Sequence, residues 1–512
     1  MAVRNNVSVT HDDSPQATTR AQAPTPTAAP TRDDATARRN SIVIWVLIVS
    51  AFVVILNETV MGVAIPHLMT DLGVTAVAAQ WLTTAFLLTM AVVIPVTGFL
   101  LQRFHTRPVF IAAMTLFAAG TALAALAPGF EVLLVARVIQ AGGTAIMLPL
   151  LMTTVMQLEP PATRGRRMGS ISVVIAVAPA IGPTISGLIL SALPWRFLFV
   201  FVLPIALTTL AIGARMIRNV TEPREAPLDV PSVVLSALGF GGIVFGLSAI
   251  GEHADGGAGA TTVLALAVGG LALAAFVLRQ LALQRIDDAL LDLRTFRIPT
   301  FAVSIGMFVI MMMSLFGSII LLPLFMQGVL GLTVLQSGLL LLPGGLIMGL
   351  AAPSVGRAVD RIGSRPLLIP GAAILAATMW TLAAIVGPET PWWQLLACHI
   401  AQSVGLALMF TPLFAASLGS LPPRLYSHGS ATVSTVQQVA AAAGTALFVS
   451  TMARVATAHE AAGETAAQAQ ASGIATAFAI AGVLATGAVV AAAFIRRPVE
   501  SAGEQTGTPI AH

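Results

Sequence analysis

Gly98-Phe99-Leu100-Leu101-Gln102-Arg103-Phe104-His105-Thr106-Arg107-Pro108 returns 258 residues later as Gly356-Arg357-Ala358-Val359-Asp360-Arg361-Ile362-Gly363-Ser364-Arg365-Pro366. One glycine, two arginines and the proline keep the same spacing in both copies. Each copy is a short charged turn between two long apolar runs, and a turn repeated at this distance implies two homologous halves. Glycine lets two helices approach closely. An Asp–Arg cluster at a helix end can latch two elements in one conformation and release them in another. The candidate gating residues are therefore Gly98, Arg103, Arg107, Gly356, Asp360, Arg361, Gly363 and Arg365. The first copy has Gln102 where the second has Asp360, so its latch lacks the acid. The plainer alternative is that these charges only set topology.

On both sides of the repeat the chain is apolar. Of its 512 residues, 56% are hydrophobic and only 9% are charged. A soluble domain carries about 25% charged residues, so lipid must cover most of the outside. Runs of about 20 apolar residues, long enough to cross a bilayer, fall at 42–65, 79–100, 108–128, 131–155, 168–192, 196–216, 231–250, 261–281, 300–326, 334–355, 366–386, 391–416, 429–453 and 472–495. The expected fold is an all-α polytopic membrane protein of fourteen spans. Residues 40–218 form one six-helix half and 299–497 the other. Residues 219–298 hold two extra helices and their linkers. Residues 1–39 and 498–512 read as disordered tails, the first of them cytoplasmic.

Charge placement orients the bundle. All 26 basic residues are arginine, and the net charge is +4. Apart from Arg137, Arg196 and Arg454 they cluster in the tails and in alternate loops, those after spans two, four, six, eight, ten and twelve. The opposite loops carry Asp71, Glu252, Asp255, Glu389, Glu460 and Glu464. The positive-inside rule then places both termini in the cytoplasm, in a cytoplasmic (inner) membrane. Trp45, Trp81, Trp195, Trp392 and Trp393 sit at span ends, as an aromatic belt requires. This scatter of arginine over short loops argues against a nucleic-acid surface. The single cysteine, Cys398, excludes an internal disulfide and a cysteine-based metal site.

At this point the chain resembles the major facilitator superfamily, and within it the fourteen-helix drug:proton antiporter branch (EmrB/QacA type). The loop signature of that family, Gly-x-Leu-x-Asp-Arg-x-Gly-Arg-Arg/Lys, is nearly whole at Gly356–Arg365 and eroded at Gly98–Arg107. Span four carries Arg137-Val138-Ile139-Gln140-Ala141-Gly142, similar to the family's Arg-x-x-Gln-x-Gly. Span five carries Gly182-Pro183-Thr184-Ile185-Ser186-Gly187, which resembles the antiporter signature Gly-Pro-x-x-Gly-Gly with Ser186 for one glycine. Exporters of the superfamily carry that signature, so the resemblance implies export. Span one reads Leu56-Asn57-Glu58-Thr59, where the common pattern has Leu-Asp-x-Thr. That variant and Leu425-Tyr426-Ser427-His428-Gly429, with Gln437-Gln438 following, resemble the lincomycin-resistance (LmrB-like) subgroup.

The membrane-embedded chemistry is sparse. Glu58 is the one acid away from the ends of the expected spans, and an ionisable group there costs about 2.5–3.5 kcal/mol on insertion scales, which makes it a functional candidate. At about 1.5 Å of rise per residue, Glu58 lies roughly 10 Å and Arg137 roughly 9 Å from the same face, close to the level of Gly182 and Pro183. Glu58 is expected to carry protons with Arg137 as its partner; a static Glu58–Arg137 ion pair is the bland alternative. His399, at similar depth in span twelve, is a second candidate proton site. Asn57, Gln140, Gln437 and Gln438 are expected as polar contacts in the substrate cavity, and Met312 as an adaptable apolar one.

The expected function is proton-coupled antiport of hydrophobic or cationic amphiphilic drugs by alternating access. Export of one endogenous metabolite, lipid or siderophore by the same mechanism is the alternative. Without lysine there is no phosphate-binding Gly-rich Lys motif, so the chain does not drive itself with ATP. No cofactor, metal or nucleic acid is expected; the partners are substrate, protons and lipid, and the chain is expected to be monomeric. One Glu, one Arg and one His on three helices are too few for a typical enzyme site.

Overall fold

A computed structural model describes residues 32–74, 76–217, 219, 229–252 and 259–495. The tail residues 1–31 and 496–512, with Arg4, Arg20, Arg218, Arg224, Asp255, Arg496 and Arg497, lie outside the described residues. The chain divides into a short unit ending at Arg39 and a unit from Asn40 onward, which holds all that follows.

Fourteen long helices make up the fold, and no strand occurs among the described residues. They are α1 (Arg32–Leu72), α2 (Ala76–Arg103), α3 (Thr106–Ala125), α4 (Phe130–Leu158), α5 (Arg164–Leu190), α6 (Arg196–Met216), α7 (Val230–Glu252), α8 (Ala260–Leu283), α9 (Pro299–Gly328), α10 (Val334–Ile362), α11 (Arg365–Ile385), α12 (Trp392–Gly419), α13 (Tyr426–Ala461) and α14 (Ala466–Ala493). Thirteen of them are long and apolar enough among the described residues to cross a membrane. The fourteenth, α5, has 27 residues, about 40 Å of helix, and packs along α10.

Several helices outrun the apolar windows in the sequence. Helix α1 starts at Arg32, inside the stretch expected to be a disordered tail, and continues to Leu72; α13 continues to Ala461. Hydropathy marks only the stretch that must avoid water. Ala, Arg and Glu prolong a helix beyond the hydrocarbon at little cost.

The helices pair in a repeated pattern. Helix α4 packs on α2 and α3, and α3 on α6; in the same way α12 packs on α10 and α11, and α11 on α14. The repeat is therefore one of helix pairing as well as of loop sequence. Helix α7, one of the extra pair, lies against both α2 and α13, one helix from each half. Its partner α8 turns Leu264, Leu271 and Leu278 outward at seven-residue spacing, the pattern of a lipid-covered helix face.

The linker after α8 is built into the bundle. Leu290 and Leu291 are buried with Phe99, Phe276 and Ala431. Gln280 accepts the Leu291 amide at 3.2 Å through Oε1 and donates to Ser232 at 2.7 Å through Nε2. Arg279 grips Asp229, the residue before α7, through two nitrogens at 2.6 and 2.7 Å.

Candidate transport site and gate

The repeated turns lie on the face where Arg167 of α5 donates to Ser41 of α1 at 2.8 Å, and both meet the opposite half. Asp360, near the end of α10, accepts the backbone amides of Gly165 at 2.6 Å and Arg166 at 2.8 Å. These are orphan donors of the first turn of α5, where the helix dipole also favours an anion. At the equivalent place Gln102 donates Nε2–H to the hydroxyl of Ser427 at 2.9 Å, in the first turn of α13. Asp360 and Gln102 are 258 residues apart, so the two contacts are one device made twice, charged in one copy and neutral in the other.

The expected Asp–Arg cluster is thus corrected. No ion pair to Asp360 is present among the described residues, because peptide N–H groups fill its oxygens, while Arg361 and Arg365 are exposed. Arg103 and Arg107 are also exposed, and the Arg107 amide donates to Asn219 at 3.4 Å. Gly363 takes φ 86°, a backbone shape that glycine adopts without strain, and ends α10.

Glycines set how closely the halves approach. A Cβ on Gly356 would collide with the carbonyl of Gly165, and one on Gly165 would collide with Asp360. A Cβ on Gly98 would meet that of Ala431 at 3.3 Å. Buried hydroxyl pairs lie behind this layer: Thr153 with Ser430 at 2.7 Å, and Thr411 donating to Ser172 at 2.8 Å. These cross-half contacts lie between the face that bears Ser41 and the middle of the bundle. Deeper still, Gln438 Nε2 lies 3.8 Å from the Met90 sulfur.

The site inside the membrane centres on α1, α4 and α5. Glu58 is half-buried and is the one carboxylate far from a helix end among the described residues. It feels the charge of Arg137, yet the two form no ion pair at contact distance. The static-pair reading is therefore corrected. Arg137, 1% exposed, finds its partners elsewhere: it donates Nη1–H to Gln140 Oε1 at 2.5 Å and Nε–H to the Leu82 carbonyl at 3.4 Å. Its guanidinium lies 4.0 Å from the centre of the Phe86 ring. The end of α1 does not mark the membrane surface, since the helix runs on for fourteen residues past Glu58, about 21 Å.

Gln140 is fully buried and lines no cavity here. Its Nε2 donates to Thr121 at 2.8 Å, and Thr121 donates to the Phe117 carbonyl at 2.6 Å. Having given its one proton away, Thr121 can only accept from Gln140, and this turns Oε1 toward Arg137. Asn57 is also buried, with Nδ2 lacking a partner. Met312 is 4% exposed and belongs to the apolar core, so it too lines no cavity in this conformation. Gln437 and Gln438 are half-buried on α13.

The α5 motif seats α1. Gly182 is buried where a Cβ would collide with Thr59, and Ser186 donates to the Val60 carbonyl at 3.0 Å. The residues on either side of Glu58 therefore rest on or near this motif. Gly187 is exposed with nothing near its Cα, so its lack of a side chain has no packing role in this conformation. Pro183 lies in α5, and its side chain is outside the described residues. His399 on α12 meets the Leu341 carbonyl through Nε2 at 3.0 Å, leaving Nδ1 buried without a partner. Among the described residues no cluster of three metal-binding side chains occurs.

Sequence reading missed Thr121, Phe86, the hydroxyl pairs and Ser427. Ordinary residue types in apolar helices carry no signal of their own; the equal offset of Gln102 and Asp360 marks them as equivalents but not what they bind.

Two paired six-helix halves that meet at one face, with a single mid-helix carboxylate among the described residues and a buried arginine inside, define a membrane transporter rather than an enzyme. The chain belongs to the Major Facilitator Superfamily, whose family model matches residues 47–445. The lincomycin resistance protein LmrB of Bacillus subtilis (strain 168) is 39% identical over 407 residues, 80% of this chain and 84% of the relative. The uncharacterised transporter YcnB of the same organism is 39% identical over 416 residues, covering 81% and 87%. A multidrug resistance protein B homolog of Mycobacterium tuberculosis (strain ATCC 25618 / H37Rv) is 31% identical over 399 residues, covering 77% and 72%. In fold, the chain matches the proton:xylose symporter XylE with a TM-score of 0.62 at 16% identity, over 90% of this chain and 97% of that one. It matches the human organic anion transporter MFSD10 with a TM-score of 0.59 at 16% identity, over 88% and 99%.

Proposed function

We propose that this chain is a proton-coupled antiporter that exports hydrophobic or amphiphilic drugs across the cytoplasmic membrane, with both termini in the cytoplasm. One observation carries the reading: Glu58 stands alone as a mid-helix carboxylate, within electrostatic reach of a buried Arg137, next to α1 residues seated on the α5 antiporter motif. A carboxyl in this setting carries charge only at a cost, and a proton removes that cost. The names of the lincomycin-resistance and multidrug-resistance relatives support drugs as the cargo.

In this reading the face bearing Ser41 and the repeated turns is cytoplasmic, as the arginine bias requires, and the conformation described is closed there. A proton taken up from outside neutralises Glu58 and loosens its hold on Arg137. Substrate leaves outward, Asp360 releases the α5 amides, and the halves rock to open inward. The proton leaves to the cytoplasm and substrate enters. Arg137, held by Gln140, keeps a fixed positive field at Glu58, and His399 is a second proton site in the other half. Asn57, Gln437 and Gln438 supply polar contacts to substrate once rocking exposes their helices. The transporter works as a monomer in lipid, with no cofactor and no nucleic acid.

The test is the resistance spectrum of a drug-sensitive host expressing the chain, with and without a protonophore while ATP is maintained. Resistance to several unrelated amphiphiles that collapses with the proton gradient is the expected result. Efflux that persists without the gradient contradicts proton coupling, and activity limited to one compound favours a dedicated exporter.

A further inference from the structure

The repeat that relates the loops also relates the buried polar centres. Arg137 and His399 are 262 residues apart, as are Gln140 and Gln402, and Gly143 and Gly405. Arg137 donates to a carbonyl of α2, that of Leu82, and His399 bonds a carbonyl of α10, that of Leu341. The surface against which each basic ring or fork lies is also shared. Phe86 faces Arg137, and Gly344, 258 residues later, faces the His399 imidazole, where a Cβ would strike the ring. Gly143 packs on the backbone of Ala113 and Phe117, and Gly405 on that of Gly371 and Leu375. Both of those partners again lie 258 residues on from their equivalents.

The two centres differ in how the glutamine is bonded. In the first half Gln140 Oε1 accepts from Arg137. In the second, Gln402 donates Nε2–H to Ser318 at 2.7 Å, and its Oε1 is buried without a partner. The Leu341 carbonyl can only accept, so His399 Nε2 carries the proton and Nδ1 is a bare lone pair. Residues three apart on a helix are neighbours. Two buried acceptors therefore sit one turn apart with no donor between them, an arrangement that costs stability until a proton arrives.

We propose that Gln402 is the positioning residue that holds a transported proton on His399, so that His399-H⁺ and Gln402 form the second half's counterpart of Arg137 and Gln140. The inference rests on the reading of the chain as proton-coupled. A proton from water binds the Nδ1 lone pair. The new N–H donates to Gln402 Oε1, while Nε2–H keeps its bond to Leu341. Release returns the same proton to water on the other side. The cavity beside the ring is lined by Leu322 and Met326 of α9, Leu340 of α10, and Leu395 and Leu396 of its own helix, and the Ser403 hydroxyl lies with the ring against Gly344. Helix α9 contains no charged residue, those of α5, α10 and α11 stand at the far ends of those helices, and α13, which also packs on α12, carries His428, Arg454, His459 and Glu460 toward its two ends. The imidazolium is thus held by two carbonyl oxygens and no carboxylate, a weak grip suited to a proton that must leave.

The test uses the full chain in lipid nanodiscs with ¹⁵N-labelled histidine, the His399 signals being assigned by their loss in His399→Gln. The wild type is expected to show the Nε2–H tautomer at high pH and to gain Nδ1–H on acidification. In Gln402→Leu the protonated-to-neutral ratio at a given pH falls about tenfold, the worth of one charge-assisted hydrogen bond. Gln402→Glu raises the ratio. Should Q402L not fold, Gln402→Met makes the same comparison. A His399 titration unchanged by removal of the carboxamide overturns the proposal, as does a histidine that stays neutral down to about pH 4. Protonophore-resistant efflux with the titration as expected would instead sink proton-coupled transport and leave the His399–Gln402 bond standing.

Discussion

Asp360 accepts the Gly165 amide at 2.6 Å and so ties the end of one half's α10 to the first turn of the other half's α5. Its second oxygen takes the next amide, that of Arg166, at 2.8 Å. The bond exists only while the two halves are closed at this face. It belongs to one conformation of the cycle and weighs on the balance between the two.

Asp360→Asn keeps the shape but turns an N–H toward the Arg166 amide and removes the charge from the α5 N-terminus. A loss of about 1–3 kcal/mol is expected for the closed state. Gln102→Asn shortens a neutral contact and should cost less. Efflux rates, with reactivity of a cysteine placed at Thr153 behind the gate, check this. D360N should slow efflux and open the face to a thiol reagent far more than Q102N. Equal effects of the two would mean that the pair is not a gate.

Gly356→Val tests the closeness of the same face. A side chain there strikes the Gly165 carbonyl, and backbone cannot give way as a side chain can. The variant is expected to fold, with both half-bundles intact, yet to be locked away from the closed conformation. Substrate binding without transport is the outcome to look for, and transport at the wild-type rate would contradict it.

Asp229 and Arg279 fasten α7 to α8. The guanidinium hydrogen-bonded to Asp229 holds its carboxyl below the usual range. A depressed folded value contributes stability above the unfolded one, and that stability is lost as pH falls through the folded value. The link is therefore complete at every pH above about 4 and fades only below it. Asp229→Asn should lower the thermal midpoint at pH 7 and narrow the difference from wild type at pH 3. A gap that persists undiminished at pH 3 would show that the charge is not what matters.

The bundle was legible in the sequence because lipid imposes a coarse and repeated demand: about 20 apolar residues per crossing. The turn at Gly98 reappearing at Gly356 exposed the two halves for the same reason. Helix ends were not legible, since Arg32 and Leu72 bound α1 outside the apolar window. Nor was the company of Arg137. Depth along a helix placed it near Glu58, but depth says nothing of rotation about the axis, and the guanidinium points to Gln140 and Phe86 instead. Gln140 and Met312 read as cavity residues from their chemistry, yet burial puts both inside the packed half-bundles.

Thr121 orients the Arg137 fork through Gln140, so its hydroxyl should matter out of proportion to its size. Thr121→Val leaves the Gln140 amide without an acceptor and free to turn its N–H toward the guanidinium. The pH profile of transport should move in T121V and be restored in Thr121→Ser. A profile that stays in place in T121V would limit Thr121 to packing.

Glu58 remains the centre of the account. Arg137 has neutral partners of its own, so Glu58→Gln removes titration without stranding a buried charge, and the variant should fold. The decisive measurement is substrate binding and proton-driven transport by E58Q side by side, in purified protein and in proteoliposomes with an imposed proton gradient. The account predicts that E58Q binds a neutral substrate about as well as wild type, while gradient-driven uptake and substrate-induced proton movement both vanish. E58Q that transports at the wild-type rate with protons moving in exchange would contradict it, and would leave His399 as the coupling residue.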